Sequence, residues 1–136
     1  MAPGIDSQIA LPDGRALGYR ELGDPQGKPV LFFHGWPGSR IQVDYFTGAA
    51  TPGVRLIGVD RLGTGLSDFK PGSRLLDWPD DIAVLADSLG LGRFAVLAWL
   101  GGGAFALACA HRIPERLTVC GLIAGKGPPE LNIPYL

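Results

Sequence analysis

Three short loops carry the residues of this chain whose types are best suited to chemistry. Residues 34–38 read His-Gly-Trp-Pro-Gly, residues 60–65 read Asp-Arg-Leu-Gly-Thr-Gly, and residues 98–103 read Ala-Trp-Leu-Gly-Gly-Gly. A histidine can act as a base, and an aspartate beside an arginine can bind a polar substrate or fix a loop. Each loop follows an apolar run, so the three loops form one candidate site if those runs are neighbouring strands.

A structural role competes with the chemical one for each polar residue in these loops. We expect His34 to brace its loop through hydrogen bonds rather than to serve as a catalytic base. We expect Asp60 and Arg61 to shape their loop by pairing and capping rather than to contact a substrate.

Phosphate-binding and metal chemistry are not supported by the spacing of these residues. The glycines at 101–103 lack the Lys-Ser/Thr pair that ends a Walker motif, so nucleotide binding is not expected. No group of His, Cys and carboxylate residues has metal-ligand spacing. Cys109 and Cys120 lie in apolar segments and are interpreted as buried free thiols. We therefore expect no cofactor and no metal.

The composition restricts the partners that this chain can have. Twelve Lys and Arg residues against 13 Asp and Glu give a net charge of −1, without a basic surface for nucleic acid or anionic lipid. Residues 1–10 lack the basic start and apolar core of a signal peptide, and no stretch approaches the roughly 20 apolar residues of a membrane span. We expect one soluble, cytoplasmic domain with neither nucleic-acid nor membrane partners.

The sequence predicts an opening hairpin and then the strands that lead into the three loops. Residues 8–11 and 15–22 form a predicted antiparallel hairpin around a Pro-Asp-Gly turn at 12–14. Continuous apolar runs further along are typical of strands buried on both faces. These runs cover residues 30–33, 54–59 and 94–98, and residues 117–124 form one more predicted strand.

Two helices are predicted between these strands. One covers residues 77–90, with Asp77 as its cap and Gly90 as its stop. The other covers residues 104–110 and is apolar all round, so it should be covered on all sides. Strands alternating with helices after an opening hairpin indicate an α/β fold with a mostly parallel sheet and an amino-terminal antiparallel hairpin. Ligands bind at the carboxyl ends of the strands in such folds, and the three loops lie there.

Together the loops resemble motifs of the α/β-hydrolase superfamily, in particular its serine esterase, lipase and haloperoxidase-like branch. Residues 34–38 resemble the HG-x-PG oxyanion loop of this family, and residues 60–67 resemble its DR-x-G-x-G-x-S loop. Residues 94–110 resemble its strand, nucleophile elbow and following helix. The resemblance covers essentially the whole chain and implies an ester hydrolase fold.

The position that corresponds to the nucleophile is occupied by Leu100, where the family pattern G-x-S-x-G has serine. Leucine has no lone pair for attack and no proton for a base to remove, so acyl transfer through it is chemically closed. A bulky residue in the strained elbow would cost about 1–3 kcal/mol. Leucine at position 100 has two explanations. It is the result of neutral drift, of engineering or of deliberate inactivation, or the elbow has another function.

The resemblance also implies an oxyanion hole beside a small apolar or ester ligand. The backbone N–H groups of Gly101 and Trp36 would form it. Trp36 and Trp99 would either line an apolar pocket or cover the ends of the sheet. The remaining predicted site residues, all in the three loops, are His34, Gly35, Gly38, Asp60, Arg61 and Gly102.

The acid and the histidine base of this family come after the elbow in chain order. His111, the one histidine after Leu100, follows an apolar helix and is expected at the surface. We therefore expect a single truncated α/β-hydrolase core over residues 1–136, without the carboxyl-terminal strands, the cap and the loops that carry the acid and the histidine.

Three functions are consistent with this sequence. The first is an ester hydrolase half that is inactive alone. The second is a non-catalytic interaction module, a homo-oligomer formed through the apolar edge strand 117–124. The third is ester hydrolysis in which a second chain or copy supplies acid and base, while a residue other than Leu100, or water, attacks.

Overall fold

The fold is built on one six-stranded mixed sheet with the strand order β1-β2-β4-β3-β5-β6. A computed structural model describes residues 3–49 and 52–125 of the chain. The strands are β1 (Ile5–Ala10), β2 (Ala16–Gly23), β3 (Lys28–Phe33), β4 (Val54–Val59), β5 (Phe94–Trp99) and β6 (Leu117–Ile123). The predicted α/β class with a mostly parallel sheet is confirmed. The part of the predicted domain that follows residue 125 lies outside the described residues.

The predicted amino-terminal hairpin is confirmed. β1 pairs antiparallel with β2, and Ile9 lies opposite Leu17. The turn closes through a hydrogen bond from the Leu11 N–H to the Arg15 carbonyl, and Gly14 adopts a left-handed φ of 89° there. β1 begins at Ile5, earlier than the hydrophobic pattern predicts, because its outward positions are exposed and need no apolar residue.

The three central strands bring the predicted loops to one edge of the sheet. β3 lies between β4 and β5 and is parallel to both, with Phe33 opposite Val59 on one side and Ala98 on the other. The loops that follow these strands therefore start at the same level. The continuous apolar runs predict that these strands are buried on both faces, but they do not predict the order of the strands.

Helix α1 (Trp78–Ser88) and helix α2 (Gly103–Arg112) pack on one face of the sheet. The capping prediction for Asp77 is wrong for α1, since its side chain makes no cap hydrogen bond to that helix. Its carboxylate instead accepts the Arg74 N–H and closes the short 3-10 helix Leu75–Asp77. Gly90, with a φ of 70°, follows the end of α1 as predicted.

The prediction that α2 is covered on all sides is wrong. Leu107 is 54% exposed, because no described residue packs on that face. Further 3-10 helices cover Leu100–Gly102, just before α2, and Pro114–Arg116, just before β6. Within the described part of the chain, no helix is both long and apolar enough to cross a membrane.

The opposite face of the sheet has its own smaller apolar cluster. Phe32 points there, while its neighbour Phe33 points toward α1, as alternation along a strand requires. A 3-10 helix over Arg40–Ala49 covers this face with buried Val43 and with Phe46, whose ring centroid is 4.9 Å from that of Phe32. No pattern in the sequence predicts this helix.

β6 forms one border of the sheet. It pairs in parallel with β5, and no described residue pairs with its outer edge. Val119 is 62% exposed, and Leu122 and Ile123 are also exposed. Cys120 on this strand and Cys109 on α2 are both free thiols, but only Cys109 is fully buried.

Candidate functional site

A sharp turn after β5 raises Leu100 above the end of the sheet. Leu100 adopts a left-handed φ of 51°, which costs an L-amino acid about 1–2 kcal/mol. The turn lies close against β3, because a Cβ on Gly102 would clash with the carbonyl oxygens of Phe33 and His34. The geometry is that of a nucleophile elbow, with a leucine side chain at its tip.

The loop after β3 lies directly beside this turn. A Cβ on Gly35 would come within 3.2 Å of the Leu100 side chain, so only glycine fits there without displacement. The Gln42 side chain holds the loop, because it accepts the Gly35 N–H at 2.9 Å and donates to the Pro37 carbonyl at 3.1 Å. A Cβ on Gly38 would clash with the Gln42 amide. No motif in the sequence signals this role of Gln42.

The two residues assigned to the oxyanion hole lie next to each other. A Cβ built on Gly101 would be 3.9 Å from the Trp36 backbone nitrogen, so the two loops approach closely. The Trp36 side chain is 73% exposed. Trp99 lies elsewhere, because it packs edge-on against Tyr45 and Phe46 on the opposite face of the sheet. Of the two tryptophans, only Trp36 faces the site.

Asp60 organises the loop after β4 from a fully buried position. Its carboxylate accepts the Arg40 N–H at 2.6 Å, the Arg40 Nη1 at 3.0 Å and the Leu66 N–H at 2.8 Å. Gly65, at a φ of 51°, leaves space for this carboxylate, where a Cβ would clash. Every observed contact of Asp60 is therefore structural.

Asp60 is also one end of a series of ion pairs that we call the charge ladder, formed by Asp60, Arg40, Asp6, Arg20 and Asp44. Arg40 donates to Asp60 at 3.0 Å and to Asp6 at 2.9 Å. Arg20 donates to Asp6 at 3.0 Å and to Asp44 at 2.9 Å. The ladder therefore connects edge strand β1 to the loop after β4.

His34 is fully buried, and both of its ring nitrogens are in hydrogen bonds. Nδ1 lies 2.8 Å from the Gly35 carbonyl oxygen, which can only accept, so Nδ1 carries the proton. Nε2 then accepts the Arg61 N–H at 3.1 Å. Burial lowers the pKa of His34 and favours this neutral form. No lone pair is left for a substrate proton.

Arg61 extends from the loop after β4 toward the elbow. Its Nη2 donates to the Gly35 carbonyl at 3.1 Å, and its guanidinium carbon lies 4.7 Å from the centroid of the Phe105 ring. Its Nη1 is 4.0 Å from the Cβ position of Gly101. Burial lowers the pKa of Arg61, because the charged form loses water there. Arg61 is a predicted site residue, but its contact with Phe105 is not predicted from the sequence.

A cavity of about 290 Å³ lies beside Arg61, at the carboxyl end of the sheet. Four of its ten lining residues are aromatic, and two of them are in contact: Trp78 lies edge-on to Phe105, with centroids 5.6 Å apart. Its lining residues are Trp36, Arg61, Leu62, Thr64, Phe69, Ser73, Arg74, Leu75, Trp78 and Phe105. The cavity is thus mainly apolar with one half-buried cation.

Two hydroxyl groups near the site, those of Ser67 and Thr64, are engaged in other hydrogen bonds, and the Cys109 thiol is buried. The Ser67 hydroxyl donates to the Asp60 carbonyl and accepts the Gly18 N–H. The Thr64 hydroxyl donates to the Arg61 carbonyl at 2.7 Å. Burial raises the pKa of the Cys109 thiol to about 12, so no thiolate forms at neutral pH.

Neither the base nor a metal site of a hydrolase is found among the residues that the structure describes. His111 is exposed at the end of α2, outside the group of site residues. No group of three or more His, Cys, Asp or Glu residues in the described ranges is placed to hold a metal ion.

Comparison with known proteins gives one family and several relatives. The family model described as "alpha/beta hydrolase fold" matches residues 28–133. A non-heme chloroperoxidase of Streptomyces lividans is 32% identical over 88% of this chain and 45% of its own length. A proline iminopeptidase of Xylella fastidiosa is 32% identical over 81% of this chain and 36% of its own length.

The solved structures agree with this result. A crystal structure of a hydrolase from Pseudomonas aeruginosa superposes with a TM-score of 0.81 at 26% identity, over 90% of this chain and 48% of that one. A carboxylesterase structure from Nitrososphaera gargenis superposes with a TM-score of 0.78 at 20% identity and shows the fold alone. This chain therefore spans less than half the length of these proteins.

Proposed function

Because this chain belongs to the α/β hydrolase fold family, we propose that it is a member of carboxylic ester hydrolase lineage that no longer hydrolyses esters. The observation that carries this proposal is Leu100 at the tip of the elbow, with a left-handed φ and no attacking atom. The hydrogen bonds of His34 support it, because neither ring nitrogen is available to a nucleophile or to water.

Hydrolysis of a short-chain nitrophenyl ester tests this proposal. We expect the purified chain to show no turnover above the spontaneous rate. Leu100→Ser places a hydroxyl at the elbow and should also remain near background, because an unactivated serine needs a base. Leu100→Ala is the matched control, since it removes the leucine without adding a nucleophile.

Two results would contradict the proposal. One is wild-type turnover that a serine-reactive phosphonate abolishes, which would mean that another serine attacks. The other is strong turnover by Leu100→Ser, which would mean that acid and base are supplied within the chain, by a second copy or by a second chain. The second result would favour complemented ester hydrolysis over an inactive protein.

We further propose that two copies of this chain associate through the outer edge of β6. The sequence of β6, Leu-Thr-Val-Cys-Gly-Leu-Ile, contains none of the charged residues or prolines that protect free edges from pairing. Val119, Leu122 and Ile123 are exposed on this strand. An antiparallel pair of two β6 strands is self-complementary, as a two-fold dimer requires.

Light scattering after gel filtration tests this association at high micromolar concentration. We expect a dimer for the wild type and a monomer for Val119→Lys, because a charge at the edge opposes strand pairing. Ala104→Lys, at an exposed position on α2, is the matched control and should leave the dimer unchanged. A wild-type monomer at this concentration would refute the association and leave the assignment of Leu100 untouched.

A further inference from the structure

Arg61 and Arg93 are the two arginines of the described residues that pair with no acidic side chain, and of these two only Arg61 lines the cavity beside the elbow. Seven other arginines donate to an aspartate or a glutamate, at distances between 2.7 and 3.3 Å. The Nε of Arg61 is buried without any hydrogen-bond partner in the described structure. Burying a cation without a counter-ion costs free energy. The described surroundings of Arg61 therefore lack a negative charge that would offset this cost.

A second donor without an acceptor lies in the wall of the same cavity. Trp78 is fully buried, and its indole Nε1 has no hydrogen-bond partner among the described residues. Arg61 and Trp78 both line the cavity of about 290 Å³. These are the two buried side-chain atoms of the described structure that lack a partner, and their residues share one cavity. Two residues of the cavity wall therefore each carry a buried donor without an acceptor among the described residues.

The rest of the wall determines what kind of molecule fits. The guanidinium carbon of Arg61 lies over the face of Phe105, and Leu62 and Leu75 add aliphatic surface. A hydrated inorganic anion gains nothing from such a wall. A molecule with an apolar body and one anionic group satisfies both the apolar surface and the unpaired cation.

We propose that this cavity binds an organic carboxylate with a compact aromatic or branched body, and that Arg61 holds the carboxylate while the aromatic wall holds the body. The Nη1 of Arg61 lies beside Gly101 and marks the place of the carboxylate, at the border between the cavity and the elbow. The inference depends neither on the inactivity of Leu100 nor on the association through β6.

Calorimetric titration of the wild-type chain with phenylacetate and, separately, with phenylacetamide tests this site. The two molecules have the same size and body and differ in charge. We expect phenylacetate to bind at least about 10-fold more tightly than phenylacetamide, since a charge-assisted hydrogen bond is roughly twice as strong as a neutral one. Added salt should weaken only the acid, because screening acts on the charge.

Two variants identify the residue responsible. Arg61→Gln keeps a donor for the Gly35 carbonyl but removes the charge, so phenylacetate should fall to the affinity of phenylacetamide. Arg112→Gln, the matched control, removes an arginine that pairs with Asp80 on the surface and should change neither affinity. Circular dichroism of each variant establishes that the fold is retained.

The wild-type comparison decides the proposal even if Arg61→Gln does not fold. Equal binding of the acid and the amide would overturn it, as would the absence of saturation by either at about 10 mM. Inorganic phosphate that binds as tightly as phenylacetate would also overturn it, because the aromatic wall would then have no role. Unchanged acid preference in folded Arg61→Gln would refute the assignment to this residue.

Discussion

The backbone of Leu100 provides a direct test of the elbow geometry. At a φ of 51° an L-amino acid loses about 1–2 kcal/mol relative to its preferred conformations, whereas glycine does not. Glycine in turn loses about 0.5–1 kcal/mol more conformational entropy on folding than alanine. The difference leaves Leu100→Gly about 0.5–1 kcal/mol more stable than Leu100→Ala. Both variants lose the same leucine contacts, so the comparison isolates the backbone.

The order of stability reverses at a regular helical position, which supplies the control. Ala104 is exposed in the first turn of α2, where Ala104→Gly should destabilise the chain by about 0.5–1 kcal/mol. Urea unfolding followed by circular dichroism, with linear extrapolation, measures all four free energies. If Leu100→Ala is more stable than Leu100→Gly, the residue is not held in the left-handed conformation and the elbow geometry is wrong.

Two other predictions concern the loops of the site. Asp60→Asn should destabilise the chain by about 3–5 kcal/mol, because an amide N–H would face buried donors and the Arg40 charge would lose a partner. The control Asp87→Asn changes an exposed aspartate and should cost less than about 0.5 kcal/mol. Similar free energies for the two variants would contradict the buried role of Asp60. Burial lowers the pKa of His34, so as the pH falls the histidine is protonated in the unfolded chain before it is protonated in the folded chain. The free energy of unfolding should therefore fall as pH falls below about 6.5, by at most about 1.4 kcal/mol per pH unit. His34→Gln should reduce this slope in urea unfolding. An unchanged slope in His34→Gln would show that His34 is not held neutral.

Much of the fold can be predicted from local patterns in this sequence. β3, β4 and β5 are buried on both faces, so their apolar runs are continuous and easily recognised. The hairpin of β1 and β2 is encoded by one short turn. The strand order, with β3 between β4 and β5, arises from contacts between distant segments and has no local signal.

Other elements escaped prediction for identifiable physical reasons. The 3-10 helix Arg40–Ala49 buries mainly Val43 and Phe46, too few apolar residues to produce a helical period. The prediction that the Asp77 side chain caps α1 is wrong, because this carboxylate accepts the Arg74 N–H at the preceding 3-10 helix instead. The exposed residues Ala104 and Leu107 of α2 are apolar like its buried residues, so hydrophobicity could not distinguish the two faces.

Some features of the candidate site could also be predicted from the sequence, and others could not. Leu100, Trp36 and Gly101 occupy adjacent turns, as the order of the three motifs suggested, because parallel strands place their following loops at one edge. The pairing of Arg61 with Phe105 could not be predicted, since it depends on how α2 crosses the loop after β4. The same is true of Gln42, whose bond to Gly35 depends on the unpredicted 3-10 helix.

The charge ladder also limits how this sequence can change over generations. Its members alternate in sign along one line, from Asp60 through Arg40, Asp6 and Arg20 to Asp44. Replacement of Arg40 leaves the buried Asp60 without its cation, and replacement of Arg20 leaves Asp44 without its cation, so accepted replacements of these arginines should arise together with changes at their acidic partners. In an alignment of related sequences, positions 40 and 60 should therefore covary, although one lies at the start of the 3-10 helix Arg40–Ala49 and the other in the loop after β4.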